Sequence, residues 1–184
     1  TSAATVQWVV SGYALAFGSL LLLGGRIADY AGRKRVFIIG LTGFALASAL
    51  GGLATTSTML FASRGLQGVF AALLAPAALS LISVTFTDSK ERAKAFGVYG
   101  ALSGGGAAIG LVLGGVLTEY FSWHWCFLVN VPIAVLAIFL AIPNVRESRA
   151  TGNTKYDVPG AITATVGLFC LVFGITKAES DGWN

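Results

Sequence analysis

The stretch that decides the fold is "GGRIADYAGRKRV", Gly24 to Val36, which lies between two long apolar runs. It gathers five charged side chains within ten residues: Arg26, Asp29, Arg33, Lys34 and Arg35. The whole chain of 184 residues is 55% hydrophobic and only 11% charged. Since soluble domains carry roughly 25% charged residues, this composition indicates a membrane protein whose charges collect in the links between membrane spans.

Six apolar stretches are long enough to cross a bilayer, which takes about 20 residues per helix for a hydrocarbon core of about 30 Å. They cover approximately residues 3–23, 36–55, 59–86, 95–118, 125–143 and 158–176. The sequence therefore predicts an all-α, polytopic transmembrane helix bundle with six spans, a cytoplasmic link over 144–157 and an outer tail over 177–184. The alternation of polar and apolar residues that a membrane β-barrel needs is absent from the sequence.

The basic residues are distributed unevenly among the links. The first, third and fifth links hold four, three and three Lys or Arg residues, whereas the second and fourth links hold none. The positive-inside rule places the three basic links in the cytoplasm. It therefore predicts a multi-pass protein of the cell membrane, with both ends of this chain on the outer side.

No constellation of reactive side chains suggests an enzyme. The chain has one histidine, His124, and its two cysteines, Cys126 and Cys170, fall inside predicted spans without metal-ligand spacing. The stretch "AGRKR" lacks the ending of a phosphate-binding loop. We therefore expect no catalytic residue, no metal, no cofactor and no nucleic-acid partner. A channel or a non-transporting scaffold is a further alternative, but the sequence has no rings of charge or polar filter segments.

Membrane orientation explains the Lys and Arg residues of the opening stretch, but not Asp29 or the glycines at fixed offsets from it. A carboxylate at the end of a span is stabilised by a guanidinium, which predicts a breakable latch of charge-assisted hydrogen bonds between Asp29 and Arg33. The stretch resembles the loop signature G-x-x-x-D-x-x-G-R-K/R of the major facilitator superfamily, between its second and third spans. The matching positions are Gly25, Asp29, Gly32, Arg33 and Lys34.

A second motif puts a cation inside a predicted span. "LFASRGLQGVFAA", Leu60 to Ala72, resembles the fourth-span motif R-x-x-Q-G of the same superfamily through Arg64, Gln67 and Gly68. A charged side chain at mid-membrane costs at least about 2.5–3.5 kcal/mol, so Arg64 needs a polar cavity or a partner. Gln67 lies one turn away on the same helix face, and we expect the two to line a cavity and take part in proton coupling. Snorkelling of Arg64 towards the membrane surface is the alternative.

A third motif is a run of glycines in the fourth predicted span. "GGGAAIGLVLGG" resembles the fifth-span motif G-x-x-x-G-P-x-x-G-G of proton-coupled exporters at Gly106, Gly110, Gly114 and Gly115. A spacing of four residues puts glycines on one helix face, where a partner helix can come close. Leu111 stands at the position of the motif's proline, so we expect the close packing but not the kink.

The last two predicted spans resemble one branch of the superfamily. "WHWCFLVNVPIA", from Trp123, is similar to the start of the sixth span in the drug:proton antiporter branch with about fourteen spans. "YDVPGAITATVGLFCLVFG" is similar to the extra seventh span of that branch. By this mapping the six spans correspond to spans two to seven and residues 1–143 form a partial N-terminal bundle. The chain would then be a fragment of the N-terminal half, completed by the remaining spans of the full-length transporter.

The resemblance implies a secondary active transporter that works by alternating access. It would export drugs or other amphipathic organic compounds in exchange for protons, as in multidrug efflux and antibiotic resistance. Its partners would be the lipid bilayer, a small organic substrate and protons. No acidic residue lies near the middle of a predicted span, so we expect the proton-carrying carboxylate in a preceding span. A uniporter or importer of the same fold is the alternative, against which the glycine face argues.

Overall fold

The computed structural model describes residues 3–150 and 158–181, which form seven helices. These are α1 (Ala3–Ala31), α2 (Arg33–Gly52), α3 (Ser57–Thr85), α4 (Ser89–Tyr120), α5 (Trp125–Leu128), α6 (Asn130–Asn144) and α7 (Val158–Asp181). Within the described ranges there is no strand, so the all-α prediction is confirmed. Half of the predicted link over 144–157 and the end of the predicted tail lie outside the described residues.

Five segments of the described chain are long and apolar enough to cross a membrane: Ser11–Ala31, Arg33–Gly52, Ser57–Thr85, Ser89–Tyr120 and Trp125–Asn144. The last of these combines α5 and α6 into one span. The sixth predicted span lies in α7, whose apolar helix Pro159–Ile175 is shorter than the others. Membrane crossing by α7 therefore stays a prediction, while the architecture as a whole is that of a transmembrane helix bundle.

The first predicted link is helical almost throughout. α1 continues to Ala31 and α2 begins at Arg33, so that Gly32 alone makes the turn. Gly32 has φ +108°, a left-handed conformation that glycine adopts without the steric cost of a side chain. Hydropathy marks only the apolar part of a helix, whereas the backbone hydrogen bonds of α1 continue past Arg26 and Asp29. The charged stretch is therefore two helix ends and one glycine.

α4 also begins before its apolar run, at Ser89 instead of residue 95. The Asp88 carboxylate accepts hydrogen bonds from the backbone N–H groups of Lys90, at 2.9 Å, and of Glu91, at 3.0 Å. These are donors that have no partner within the helix itself. A capping side chain, which hydropathy does not register, thus decides where this helix starts.

α3 lies between α1 and α2, and these three helices form the centre of the bundle. Glycines line the contacts: Gly24 of α1 meets the α3 backbone at Ala72, and Gly40 of α2 meets the α3 backbone at Phe70 and Leu74. In lipid, helices gain little from burying apolar surface, so close approach at small residues supplies the attraction instead. α6 packs against α2, and α7 packs against α1.

α4 is the least embedded helix of the central part of the chain. It contacts α3 and α5, and none of its residues is buried. The bundle that the described residues form therefore leaves the long faces of α4 open.

Candidate functional site: an ion-pair latch and a buried arginine network

The predicted latch residues form an ion pair across the Gly32 turn. Asp29 Oδ1 accepts hydrogen bonds from Arg33 Nη2, at 2.9 Å, and from Arg33 Nε, at 3.2 Å. The side chain of Arg33 is 15% exposed and that of Asp29 is 32% exposed. Both side chains are partly exposed, so water screens the pair, and its contribution to stability is on the order of 1 kcal/mol. The pair is therefore weak enough to break and re-form.

A carboxylate from outside the motif caps α2 beside this pair. Glu147, in the link after α6, accepts hydrogen bonds from the backbone N–H groups of Lys34, at 3.1 Å, and Arg35, at 3.0 Å. Gly32, the residue before α2, has no side chain to cap the helix, and the first turn of α2 contains no acidic residue. Negative charge is stabilised at a helix N-terminus by the unpaired N–H groups there. Glu147 supplies the cap that the local sequence lacks.

Two backbone hydrogen bonds hold the same link against both latch residues. The Arg33 N–H donates to the Ser148 carbonyl at 2.9 Å, and the Ala150 N–H donates to the Asp29 carbonyl at 3.0 Å. These bonds keep the backbones of Asp29 and Arg33 in place whether or not their side chains are paired. The latch can therefore open at its side chains without unfolding the turn.

The remaining motif residues lie at the same end of the bundle. Lys34 Nζ donates a hydrogen bond to the Ile142 carbonyl, at 2.6 Å, near the end of α6. A Cβ built on Gly25 would lie 3.5 Å from Pro76 Cβ of α3, an ordinary van der Waals contact. The structure thus gathers the five motif residues around the ends of α1, α2 and α6, although Gly25 has room for a side chain.

We expect Glu147→Gln to lower the stability of the full-length protein by about 1 kcal/mol, the usual effect of weakening a helix cap. The amide keeps one acceptor oxygen but loses the charge that favours the α2 N-terminus. Thermal unfolding in detergent measures the change. The control is Glu119→Gln. Glu119 is an exposed carboxylate at the C-terminal end of α4, and this variant should leave the unfolding temperature unchanged. Equal behaviour of the two variants would contradict the capping role.

The second predicted site lies on α3, towards the opposite end of the bundle. Arg64 Nη1 donates a hydrogen bond to Gln67 Oε1 at 2.8 Å. The Arg64 guanidinium carbon lies 4.5 Å from the ring centroid of Tyr13 and 5.8 Å from that of Phe127. A cation over an aromatic ring within about 6 Å is attracted by the negative ring face. The Gln67 amide on α3 and the rings of Tyr13 on α1 and Phe127 on α5 therefore all contact Arg64.

Gln67 connects Arg64 to a buried network of polar side chains. Gln67, only 1% exposed, donates from Nε2 to Ser48 Oγ of α2 at 2.9 Å. Ser48 Oγ also accepts a hydrogen bond from Asn130 Nδ2 at 3.1 Å and donates to the Phe127 carbonyl at 2.9 Å. The network joins α2, α3, α5 and α6 to Arg64 in the interior of the bundle.

Gly68, the last residue of the second motif, sets the separation of α1 and α3. A Cβ at this position would lie 2.6 Å from the Tyr13 carbonyl oxygen and 2.7 Å from Ala16 Cβ. Glycine is required here because the α1 backbone passes directly over it. That approach is what brings the Tyr13 ring to Arg64.

Within the described residues no other helix packs closely on the glycine face of α4, although Cys126 Sγ of α5 lies 3.6 Å from the Gly114 carbonyl oxygen. A Cβ built on any of Gly106, Gly110, Gly114 and Gly115 would meet no atom within 4 Å. Close packing of this face against another helix stays a prediction. In the described parts of the chain there is likewise no group of three His, Cys, Asp or Glu residues that could hold a metal ion.

A family model described as Major Facilitator Superfamily matches residues 1–178. The chain belongs to the major facilitator superfamily. The family prediction made from the three motifs is therefore confirmed.

Several curated members of the superfamily are similar to this chain over nearly its whole length. The puromycin resistance protein pur8 of Streptomyces alboniger is 55% identical over 97% of this chain and 35% of its own length. The cephamycin export protein CmcT of Amycolatopsis lactamdurans is 44% identical over 98% of this chain and 38% of its own. The tetracenomycin C resistance and export protein of Streptomyces glaucescens is 36% identical over all of this chain and 34% of its own. The chain spans about a third of these relatives.

Some residues of this major facilitator site were not found from the sequence. Ser48 and Asn130 are polar residues inside predicted spans, and a search for such residues would have singled them out. Tyr13 and Glu147 carry no such signal, because an aromatic residue in a span and an acid in a link are both ordinary. Their contribution depends on which helices become neighbours.

Proposed function

We propose that this chain is part of a proton-coupled exporter of amphipathic organic compounds. The observation that carries the proposal is the environment of Arg64, a guanidinium inside a predicted span that is bonded to buried Gln67 and lies over the Tyr13 ring. Ionisable residues within membrane spans are costly and mark ion and substrate pathways. The names of the relatives, which concern puromycin, cephamycin and tetracenomycin C, support antibiotics as the substrate class.

In the proposed mechanism Arg64 adjusts the proton affinity of a carboxylate on another span of the full-length transporter. A nearby cation favours the ionised carboxylate and lowers its pKa, so the proton is released more readily when the two groups are close. Movement of the helix bundles would change that separation and couple proton release to substrate export. The Tyr13 and Phe127 rings offer an apolar, aromatic surface beside the cation for an amphipathic substrate.

The Asp29–Arg33 latch acts at the other end of the bundle. It would stabilise the state in which the cytoplasmic side is closed and open when that side must admit substrate. In this proposal the protein lies in the cell membrane, and the positive-inside rule puts the latch on the cytoplasmic side and both ends of the chain on the outer side. The glycine face of α4 would pack against a helix of the remaining spans and limit proton leak.

Transport by the full-length protein in everted membrane vesicles tests the proposal, with radiolabelled puromycin as the probe. We expect uptake into vesicles with an acidic interior and loss of uptake when a protonophore dissipates the gradient. Arg64→Ala should lower the uptake rate by about tenfold, which corresponds to a change of about one pKa unit in the coupled carboxylate. Arg149→Ala, at an exposed basic residue of the link after α6, is the control and should transport normally.

Two results would contradict the proposal. Uptake that is insensitive to the protonophore would indicate a uniporter. Uptake only in right-side-out vesicles would indicate an importer, which is the alternative that the sequence leaves open.

A further inference from the structure

We propose that Asn130 and Ser48 are positioning residues for Arg64 and act on it through Gln67. The inference deepens the proposed function and rests on the role given there to Arg64. Both residues lie outside the three superfamily motifs, and together they determine the position of the Arg64 guanidinium.

The hydrogen-bond donors and acceptors of this network have only one consistent arrangement. A guanidinium can only donate, so the Gln67 atom facing Arg64 at 2.8 Å must be the amide oxygen. The amide nitrogen of Gln67 then faces Ser48 Oγ at 2.9 Å and donates to it. The orientation of the Gln67 amide is thus determined by Arg64 at one end and by Ser48 at the other.

The Ser48 hydroxyl is used to its full capacity. The Phe127 carbonyl can only accept, so the Ser48 proton is directed to it at 2.9 Å. The two lone pairs of the Ser48 oxygen accept from the Gln67 amide and from the Asn130 amide, the latter at 3.1 Å. Asn130 Nδ2 also donates to the Cys126 carbonyl at 3.3 Å, which orients the Asn130 amide in the same sense.

Burial makes this arrangement difficult to change. Ser48 is 0% exposed and Gln67 is 1% exposed, so water does not replace a partner that is lost. If Ser48 loses its hydroxyl, the Gln67 amide nitrogen and the Phe127 carbonyl both lose a partner, and the Gln67 amide is free to turn. If Asn130 loses its amide, Ser48 Oγ loses one of its two donors, and the Ser48 hydroxyl that orients Gln67 is held less firmly. The Gln67 oxygen then no longer holds the guanidinium over Tyr13.

Phe127 joins both ends of the network, because its ring lies 5.8 Å from the Arg64 guanidinium carbon while its carbonyl accepts from Ser48. A displacement of α5 therefore acts on Arg64 directly through the ring and indirectly through Ser48 and Gln67. Asn130, at the start of α6, bonds both to Ser48 of α2 and to the Cys126 carbonyl of α5, and so fixes the position of α5 relative to Ser48.

The pH dependence of puromycin uptake by the full-length protein distinguishes positioning from a merely structural role. When the cation moves away from a carboxylate, the pKa of that carboxylate rises. We therefore expect Asn130→Leu and Ser48→Ala to move the midpoint of the pH profile upward by about 0.5 unit, a fraction of the roughly 1–3 units that an adjacent cation exerts. Arg64→Ala should move it further in the same direction.

Asn144→Leu is the matched control. Asn144, also on α6, donates to the carbonyl four residues before it, as Asn130 does, but within the described part of the chain its side chain makes no hydrogen bond to another helix. Its replacement should not move the profile. An unchanged midpoint in both Asn130→Leu and Ser48→Ala would overturn the inference.

A thermal double-mutant cycle tests the same inference without transport. Residues in one hydrogen-bond network have non-additive effects on stability. The unfolding temperature of the double variant Arg64→Ala/Asn130→Leu should therefore fall by less than the sum of the decreases in the two single variants. In the control cycle, the decreases caused by Arg64→Ala and Asn144→Leu should add up to that of their double variant. Additive losses in the first cycle would overturn the positioning role. If the wild-type protein shows no proton-driven uptake, the proposed function fails while this cycle still decides the inference.

Discussion

Replacing Gly24 with alanine is expected to prevent stable packing of α1 against α3. The added Cβ would collide with the Ala72 carbonyl oxygen and lie 2.7 Å from the Ala72 carbonyl carbon. These are backbone atoms of a continuous helix, so no side-chain movement relieves the collision. Overpacking in a well-packed interior costs about 1–3 kcal/mol, and we expect at least the upper end here. The folded full-length protein recovered from membranes, and its unfolding temperature, measure the loss.

The neighbouring glycine provides the control for that experiment. A Cβ at Gly25 would lie at an ordinary contact distance, 3.5 Å, from Pro76 Cβ, so Gly25→Ala should fold normally. The superfamily loop motif contains Gly25 and not Gly24. From the motif alone, one would therefore expect Gly25→Ala to be the more damaging substitution. Equal losses in the two variants would contradict the structural account.

Asp29→Asn is expected to abolish export while leaving the protein inserted and folded. Asparagine keeps an acceptor for Arg33 but removes the charge of the ion pair. Because an accessible ion pair contributes only about 0.2–1 kcal/mol, the loss of stability should be small. The backbone hydrogen bonds between the turn and the link also remain. Puromycin uptake in everted vesicles, normalised to the amount of protein in the membrane, measures the effect.

Asp88→Asn is the matched variant, since Asp88 lies at the same end of the bundle and caps α4 through its side chain. Asparagine caps a helix about as well as aspartate, so export by this variant should be normal. Export by Asp29→Asn at the wild-type rate would remove the latch from the mechanism.

The helices, the family and the members of the first two motifs were predictable from local sequence. Apolar runs of span length identified the central parts of α1 to α4 and of the combined α5–α6 span. The predicted latch pairs Asp29 with Arg33, and the structure brings their side chains to 2.9 Å. Arg64 and Gln67 likewise stand one turn apart and are bonded. Each of these relations lies within one helix or across one turn, where sequence separation determines distance.

The helix ends were less predictable. The predicted first link became two helix ends around Gly32, because charged residues continue a helix as well as apolar ones do once the backbone bonds are formed. The cap on α2 came from Glu147, more than a hundred residues away along the chain. No local pattern marks a carboxylate as the cap of a distant helix.

By itself the sequence determined that this chain is an apolar helical bundle of the major facilitator superfamily with most of its basic residues in alternate links, since hydropathy and short motifs are properties of neighbouring residues. Only the tertiary structure decided that Gly24 and not Gly25 must lack a side chain, and that Ser48 and Asn130 reach Arg64 through Gln67. Both outcomes depend on the distance between backbones of different helices. That distance is set by the packing of the whole bundle.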